Sequence, residues 1–573
     1  MKFPTLLTRN RRQKRSDNGT EAPRIPPRLM LQTPPQQDHT DLLVELDPIQ
    51  LGASLDQLPL INLRNSLRQV RDWLLPTNQQ PVPPRTRFQL LERFRATAMQ
   101  LEPAIEDAEL AKLPLRSGEY PVVKEDMRLI LKGLADGYKL LVKALYPHPE
   151  QEGRLLAPAL YRALEAICSS LLLAFRNNLN IEPFSYLELH QLYSALEAFG
   201  WEEEPAVWRN QPLGELSARH LYTRIMVLGI TDPFHLETGQ ASRFFETITR
   251  HLALCRLERS EEIAPPEGCF LIDLSSDSPA LPRGRLQTPP APGQLRLLDL
   301  RQLLRGLQGS RHGGQERRPH PTPEELAETA LLQALWPRIQ RTLKRKEPRR
   351  AHEEQVHCAF GAASLGYYLE KGPDFILDAI SGGTAGIHVR DLESEQEGEF
   401  NLFPGRILNQ SQSGLLVAID GHAPPNTHAG ELITLFRTRR RGEPEPLMAE
   451  IRWLKQLPDR AEAGVRILTG VPVAARFSPG EESPPLPALF IPPLAALEIP
   501  ETLVVPAGLL APGQSGDLKV GETSWRRVRL DGLHHATGCY ERYILEERPE
   551  EPRVAGGGSP ATREAEDNVI EWE

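Results

Sequence analysis

The sequence predicts a multidomain α + β protein, in which an N-terminal α-helical domain precedes a six-stranded antiparallel β-barrel with a β-rich C-terminal extension. Two observations support this prediction. Between about residues 41 and 260, apolar side chains recur every three or four positions, which is the period of an amphipathic helix. From about residue 403 the period becomes two, which is the period of a strand with one buried face. We therefore expect a helical domain and a β domain that fold separately.

Three apolar stripes and one capped segment define the helices of the domain at 41–275. The stripes cover residues 90–101, 127–145 and 160–174. Their spacing places the apolar side chains on one face of each helix, which is typical of a bundle or solenoid. Ser185 and Glu188 form a capping-box pattern at the start of a fourth helix, and Gly200 is predicted to end it. Such a domain is expected to bind a protein partner, which the sequence does not identify, or to serve as a plain scaffold.

The remaining segments have the composition of tails and linkers. Residues 1–40 are basic and rich in proline and glutamine, and residues 547–573 carry many charges, so both ends are predicted to be disordered. Residues 276–330 are rich in proline and glycine and are predicted to form a linker with one short helix at 295–307. Pro323, with Thr322 as its cap, is expected to begin a helix that ends near residue 343.

Six short strands with alternating apolar residues predict the barrel at 331–480. They lie at 405–408, 415–419, 431–436, 448–454, 464–468 and 473–477. Short strands separated by turn residues are typical of a small antiparallel barrel. Residues 370–402 are predicted to be an insertion, and the strand pattern continues through 481–546 as a β-rich extension.

Composition and charge exclude several classes of protein. The net charge of −9 argues against a nucleic-acid-binding protein. No apolar run approaches the roughly 18 residues of a membrane span, so no membrane insertion is expected. The cysteines are scattered without a CxxC pair, which favours a reducing cytoplasm over a disulfide framework or a metal site. They are Cys168, Cys255, Cys269, Cys358 and Cys539.

One short motif carries chemical information. Asn409, Ser411 and Gly414 form an Asn-x-Ser-x-x-Gly pattern, and a predicted strand follows directly. Side chains two residues apart on an extended chain point the same way, so Asn409 and Ser411 can reach one ligand together. Glycine at position 414 allows a turn or the close approach of a ligand. Because all three are favoured turn residues, a plain hairpin turn is the alternative interpretation.

A second motif lies upstream of the predicted barrel. Arg345 and Arg349 form an Arg-x-x-x-Arg pattern, with Arg350 adjacent. Arginine binds phosphate bidentately, reads the edge of guanine and stacks on a purine face. The chain contains 55 arginines, so such pairs also arise by chance, and a solvated basic helix end is the alternative.

The two motifs together resemble the signature of PilZ domains, the bacterial receptors for cyclic di-GMP. The segments 449–453 and 463–468 are similar to a later strand pair of that family. The helical N-terminal region resembles a divergent, FimW-like branch that is linked to type IV pili and surface attachment. Residues 349 and 409 are 60 positions apart, which is longer than is common in the family. The resemblance implies a cyclic di-GMP site formed by Arg345, Arg349, Asn409, Ser411 and Gly414.

The resemblance implies a cytoplasmic, non-enzymatic receptor that binds cyclic di-GMP as an intercalated dimer on the barrel and relays this to the helical domain. The alternative is a degenerate barrel that binds no ligand and acts as an adaptor through protein contacts. No phosphate-binding loop, nucleophile elbow or His-Glu-x-x-His helix occurs, so neither an enzyme nor a cofactor is predicted.

Other chemically suggestive residues have simpler interpretations. His534 and His535 with Cys539 lack a further ligand at a known metal spacing. The arginine-rich segment 437–441 is expected to be a solvated loop. Trp453 is expected in the barrel core, and Gly464 is expected to be a packing or bulge glycine.

Overall fold

A computed structural model of the chain describes residues 28–37, 44–59, 62–110, 120–203, 205–237, 239–282, 284–286, 290–312, 322–339, 348–381, 400–424, 427–438, 444–480, 484–495 and 498–547. Residues 1–27 and 38–40 of the tail predicted at 1–40, residues 548–573 of the tail predicted at 547–573, and most of the predicted insertion fall outside these residues. The chain divides into two compact units. Unit 1 comprises Met1–Pro233 and Gln240–Lys344, and unit 2 comprises Phe234–Gly239 and Arg345–Glu573.

Helices form most of unit 1 in its described part. They are α1 (Pro48–Asp56), α2 (Leu63–Gln79), α3 (Pro84–Leu110), α4 (Tyr120–Leu145), α5 (Pro149–Arg176), α6 (Ser185–Phe199), α7 (Ala218–Ile230), α8 (Gln240–Arg250), α9 (Arg301–His312) and α10 (Pro323–Ile339). A short hairpin, β1 (Val207–Trp208) and β2 (Gln211–Pro212), precedes α7. The three apolar stripes predicted from the sequence lie on α3, α4 and α5, and their side chains are buried. The prediction of a helical N-terminal region is confirmed.

Helix α5 is long and apolar enough to cross a membrane by length and composition alone, but 78% of its most apolar window is buried inside the unit. Helices α4, α6 and α7 pack against it. This is the environment of a core helix. The apolar character of α5 is therefore explained by packing within unit 1.

The start of α6 differs from the predicted capping box. The carboxylate of Asp277 accepts hydrogen bonds of 2.7–3.1 Å from three backbone N–H groups around the first turn. Glu188 instead forms an ion pair with Lys139 at 2.9 Å, so the predicted capping box with Ser185 is wrong. The end of the helix is as predicted, since Gly200 has a left-handed φ of 73°. A cap supplied from a distant part of the chain cannot be found by local pattern.

A four-stranded antiparallel sheet in the order β3-β6-β4-β5 lies between α8 and α9 in the sequence of unit 1. Its strands are β3 (Arg256–Arg259), β4 (Cys269–Asp273), β5 (Leu281–Pro282) and β6 (Leu295–Asp299). The helix predicted over 295–307 is wrong in its first part, because α9 begins only after β6. Asp299 accepts a hydrogen bond from the N–H of Arg301 at 2.9 Å and so fixes the start of α9. The helix predicted from Pro323 is confirmed, with a reciprocal capping box between Thr322 and Glu325.

One buried histidine in unit 1 makes stability depend on pH. His190 Nε2 donates to the carbonyl of Ser278 at 2.9 Å, and Nδ1 accepts from the hydroxyl of Tyr222 at 2.7 Å. Burial lowers the pKa of His190 to about 4, from an ordinary value of 6.5. The imidazole of His190 therefore binds a proton more tightly in the unfolded chain than in the folded one. As a result, the free energy of unfolding decreases as the pH falls from 6.5 towards 4.

We expect the free energy of unfolding to fall by about 3 kcal/mol from this group between pH 7 and pH 4. The measurement is urea unfolding of the full chain between pH 7 and pH 4, monitored by hydrogen exchange in peptides from α6. The control is His190→Gln, which removes the titrating group and should flatten the profile. An unchanged profile in the variant would contradict this account.

Unit 2 contains two closed six-stranded antiparallel barrels. The first has the order β7-β8-β9-β12-β11-β10 and the second β13-β14-β15-β18-β17-β16. The strands of the first are β7 (Arg350–Phe360), β8 (Phe403–Gln410), β9 (Gly414–Asp420), β10 (Leu432–Thr438), β11 (Pro444–Gln456) and β12 (Arg460–Ile467). Those of the second are β13 (Val473–Ser478), β14 (Leu486–Ile491), β15 (Thr502–Pro506), β16 (Ser515–Val520), β17 (Arg526–Ala536) and β18 (Tyr540–Glu547).

The predicted fold class is confirmed, and two strand assignments are corrected. β7 belongs to the first barrel, although the sequence pattern did not predict it as a strand. The strand predicted at 473–477 as the last of this barrel is β13, which opens the second barrel instead. The predicted β-rich extension is thus the rest of a complete second barrel.

Two helices connect β7 to β8 and pack between the barrels. They are α11 (Ala362–Lys371) and α12 (Pro373–Ser381). Leu365, Tyr368 and Ile376 from these helices are buried with Phe436 of the first barrel and Leu489 of the second. Of these residues only Ile376 lies in the segment predicted as an insertion at 370–402, so the described beginning of that segment contributes to a shared apolar core.

Candidate ligand-binding site

The Asn-x-Ser-x-x-Gly motif forms the hairpin between β8 and β9. The backbone N–H of Ser411 donates to the carbonyl of Gly414 at 2.8 Å. The hydroxyl of Ser411 donates to the same carbonyl at 3.2 Å and accepts from the N–H of Gly414 at 3.1 Å. The motif therefore forms a hairpin turn, as its turn residues allow. It leaves one lone pair of the hydroxyl for another contact.

Gly414 is required by close contact with the neighbouring strand. A Cβ atom at this position would lie 2.7 Å from the carbonyl oxygen of Val465, which is main chain and cannot rotate away. Val465 belongs to β12, and its neighbour Arg466 pairs with Gly414. The glycine therefore lets the hairpin pack closely against β12.

Gly414→Ala is expected to lower the free energy of unfolding of the first barrel by about 1–3 kcal/mol, because the backbone must shift to admit the methyl group. The measurement is chemical unfolding of the full chain, monitored by tryptophan fluorescence. Gly480→Ala is the matched control, since nothing lies within 4 Å of its added Cβ. Equal losses in the two variants would contradict the steric explanation.

Strand pairing brings the two sequence motifs together. β7 runs antiparallel to β8, with Arg350 opposite Gln410 and Ala351 opposite Asn409. Arg349 immediately precedes this pairing and is exposed, so it lies at the same end of the barrel as the Ser411 turn. The connection through α11 and α12 leaves from the other end of β7. Arg349 and Asn409 therefore lie close together in the fold, although 60 positions separate them in the sequence.

Asn409 lies on the outer face of the first barrel. A bulge after Ile407 interrupts the pairing of β8 with β9, and Asn409 then lies opposite Leu416. The strand neighbours Ile407 and Leu415 point into the barrel core. The Oδ1 atom of Asn409 is buried and has no hydrogen-bond partner in the described part of the chain. A buried polar atom normally has a partner, and a rotation of the side chain would bring this one to an N–H group of a ligand.

Asn409 begins a row of side chains that crosses the outer face of the barrel. Leu416 pairs with both Asn409 and Gly464, and Gly464 pairs with Trp453. The indole lies over Gly464, where a Cβ would stand 2.0 Å from Nε1. Gly464 is a packing glycine, as predicted. Trp453 is half-buried on the outer face, so the prediction of a core position is wrong.

The remaining residues of the predicted site are only partly placed. Arg345 lies outside the described residues. Arg350, to which the sequence analysis gave no role, is exposed beside Arg349. The structure thus brings Arg349, Asn409, Ser411 and Gly414 to one end of the barrel, and it places two arginines there.

Sequence reasoning missed a buried carboxylate two strands from this hairpin, in the cross-strand row of Arg466 and Gly414. Glu450 of β11 is fully buried and accepts hydrogen bonds from Arg452 at 2.6 Å and Arg466 at 2.7 Å. It also accepts from His535 at 2.7 Å and Tyr540 at 2.9 Å, both in the second barrel. Burial alone would raise the pKa of Glu450, but these donors outweigh it and hold the pKa below its ordinary value. An acidic residue inside a strand pattern is the one local signal for this network.

The other sequence candidates do not assemble into a site. His535 is held by Glu450, and burial raises the pKa of Cys539 to about 12, so this thiol is protonated at neutral pH. Within the described ranges, no three His, Cys, Asp or Glu side chains are placed to hold a metal ion. Of the arginine-rich segment 437–441, the last three residues lie outside the described ones, and Arg437 lies 3.5 Å from Glu354.

The fold and this site define a class of multidomain protein in which a helical domain is followed by two β-barrels and a ligand-binding motif lies on the first. Residues 50–262 match the family model "Cyclic-di-GMP receptor FimW, N-terminal domain", and residues 473–547 match "FimW C-terminal beta-barrel domain". Two separate segments of the chain thus match the two domain models of this family. The predicted PilZ-like motifs lie between the two matched segments.

The chain is also similar over almost its whole length to one curated relative. This is the "Cyclic-di-GMP receptor FimW" of Pseudomonas aeruginosa, which is 23% identical over 608 aligned positions. The alignment covers 94% of this chain and 96% of the relative. It therefore spans the helical unit and both barrels.

Proposed function

We propose that this protein is a cytoplasmic, non-enzymatic receptor for cyclic di-GMP that binds the dinucleotide at the β8–β9 end of the first barrel. The observation that carries the proposal is the pairing of β7 with β8, which places Arg349 beside the Asn409 motif despite their separation in sequence. The name of the relative, a cyclic-di-GMP receptor, supports the identity of the ligand.

The chemistry of the site suits this ligand. Cyclic di-GMP presents two phosphates and two guanines. Arg349 and Arg350 can bind a phosphate or the O6 and N7 atoms of guanine through charge-assisted hydrogen bonds. The unpartnered Oδ1 of Asn409 can accept from a guanine N–H. Ser411 holds the turn and offers its remaining lone pair. Arg345 completes the pattern implied by the PilZ resemblance.

Signalling requires that the ligand favour one arrangement of the protein over another. We propose that binding holds Arg349 against the barrel and changes how the helical domain engages a protein partner. The resemblance to the FimW-like branch suggests an output in type IV pili or surface attachment.

Calorimetric titration of cyclic di-GMP into the full chain tests the proposal. We expect a dissociation constant in the micromolar range or tighter, with two nucleotides per chain if an intercalated dimer binds. Cyclic di-AMP is the control, since it has the same phosphates but different base edges. If the folded chain gives neither heat nor a thermal shift, the receptor proposal fails, and the ligand-free adaptor is the better description.

A further inference from the structure

Residues 28–37 lie as an extended segment on the helical unit, although the sequence predicts disorder for residues 1–40. Leu31 is the buried anchor, with 6% of its surface exposed, while the adjacent Met30 is 64% exposed. The backbone N–H of Met30 donates to Gln191 Oε1, and that of Gln32 donates to Glu188 Oε1, both at 2.6 Å. Alternate backbone N–H groups are thus held by side chains of α6.

The C-terminal end of the segment is held by a different part of the unit. The side chain of Gln36 donates to the carbonyl of Asn78 at 2.7 Å and accepts from Arg87 at 2.9 Å. The backbone N–H of Gln37 donates to the carbonyl of Gln79 at 2.8 Å. The segment is therefore held at both ends, as an extended peptide is in a binding groove.

We call the surface that holds residues 28–37, formed by α6 and by residues 78–87, the groove. It presents buried polar side chains to the segment. Glu188 and Gln191 are themselves buried, with 6% and 8% of their surfaces exposed. Lys139 lies 2.9 Å from Glu188 and also pairs with Asp136 at 2.9 Å. This ion pair holds the carboxylate of Glu188 in position to accept from the peptide. Buried acceptors that are held in place and directed at a peptide backbone recognise an extended chain rather than one particular side chain.

The segment does not fill the space beneath it. A cavity of about 500 Å3 is lined by residues 32–34 on one side and by α4, α5 and α6 on the other. Ser170, in its wall, has a buried hydroxyl with no hydrogen-bond partner among the described residues. The groove therefore has room for a larger or more deeply inserted occupant.

Two features of the sequence indicate that the segment is an occupant of the groove rather than part of the domain. The match to the family's N-terminal domain begins at residue 50, so residues 28–37 lie outside it. The sequence Leu-Gln-Thr-Pro-Pro at 31–35 also recurs unchanged at 286–290. The chain thus carries two copies of the five central residues of the segment that this groove holds.

We propose that this groove is a docking site for an extended protein segment with the chemistry of Leu-Gln-Thr-Pro-Pro, and that residues 28–37 occupy it in cis. The leucine of the partner segment would take the position of Leu31. Its alternate backbone N–H groups would donate to Gln191 and Glu188. The prolines favour the extended conformation and lower the entropy cost of binding. A partner segment competes with the tethered one, so its apparent affinity is reduced until residues 28–37 are released. This proposal is independent of cyclic di-GMP binding.

The test uses the full chain with Leu31→Asp and Gln32→Pro, which remove the anchor and one bound N–H. A fluorescent peptide with the sequence of residues 28–37 is titrated against this variant and the wild type. We expect the variant to bind it at least tenfold more tightly than the wild type. Adding Gln191→Ala to the variant should weaken binding, and a peptide with aspartate in place of the leucine should not bind. A folded variant that binds no peptide would overturn the proposal.

If the double variant does not fold, hydrogen exchange in the wild-type chain gives the answer. Saturating peptide should displace residues 28–37 and speed exchange at the N–H groups of Met30 and Gln32. Unchanged exchange there would show that the segment is a fixed part of the fold, and the docking proposal would be wrong.

Discussion

Replacing both Arg349 and Asn409 by alanine is expected to weaken the binding of cyclic di-GMP by at least about 100-fold. Charge-assisted hydrogen bonds contribute about 1.5–3 kcal/mol each, and each 1.4 kcal/mol is a factor of ten in affinity. Arg349 is exposed, and the Oδ1 of Asn409 has no partner among the described residues. Replacing the two side chains therefore removes no hydrogen bond that the Asn409 Oδ1 makes within the described fold. The melting temperature should therefore change little.

The measurement is calorimetric titration of the variant beside the wild type. Arg460→Ala is the matched control, because it removes one positive charge from the opposite end of β12, where Arg460 pairs with Asp420 rather than with Gly414. Its affinity should stay within about threefold of the wild type, as screening weakens charge effects over such distances. If Arg460→Ala and the double variant lose affinity equally, only the net charge of the barrel matters, and the assigned site is wrong.

Glu450→Ala is expected to lower the free energy of unfolding of unit 2 by about 3–5 kcal/mol. The carboxylate is fully buried and accepts from two arginines, His535 and Tyr540. Its removal leaves the buried hydroxyl of Tyr540 and the partly buried His535 without their shared acceptor, and each such donor costs about 1–3 kcal/mol. Because His535 and Tyr540 belong to the second barrel, we expect both barrels to lose stability together.

Chemical unfolding of the full chain measures this effect. Glu450→Gln keeps an acceptor but removes the charge, so its loss should be smaller. Glu462→Ala is the control, because this glutamate forms a partly exposed ion pair with Arg460 and should contribute at most about 1 kcal/mol. A loss for Glu450→Ala no larger than that for Glu462→Ala would contradict the importance of the buried network.

The sequence predicted elements with strong local periodicity and missed arrangements that depend on distant residues. The stripes on α3, α4 and α5 were sufficient for the helical unit, since packing and period agree there. The segment 28–37 was missed because one leucine anchors it, and composition averaged over forty residues hides a single anchor. The capping box at Ser185 failed because Asp277 satisfies the same N–H groups from elsewhere in the chain.

The same limit applies to the barrels and to the site. β7 was missed because its first half is exposed and charged, and β13 was assigned to the wrong barrel because alternation does not say which sheet a strand joins. The motif at 409–414 was recognisable because its residues are contiguous. Its relation to Arg349 depends on the pairing of β7 with β8 across a long connection, and only the structure gives that register.

The most direct test of the receptor account is hydrogen exchange of the full chain with and without saturating cyclic di-GMP. The account predicts slower exchange in peptides that contain Gln412 and Ser413 of the β8–β9 turn and in those that span 345–352. It predicts no comparable change at the opposite end of the barrel, around Arg460. Unchanged exchange at the turn, with protection appearing elsewhere in the chain, would contradict the assignment of the site.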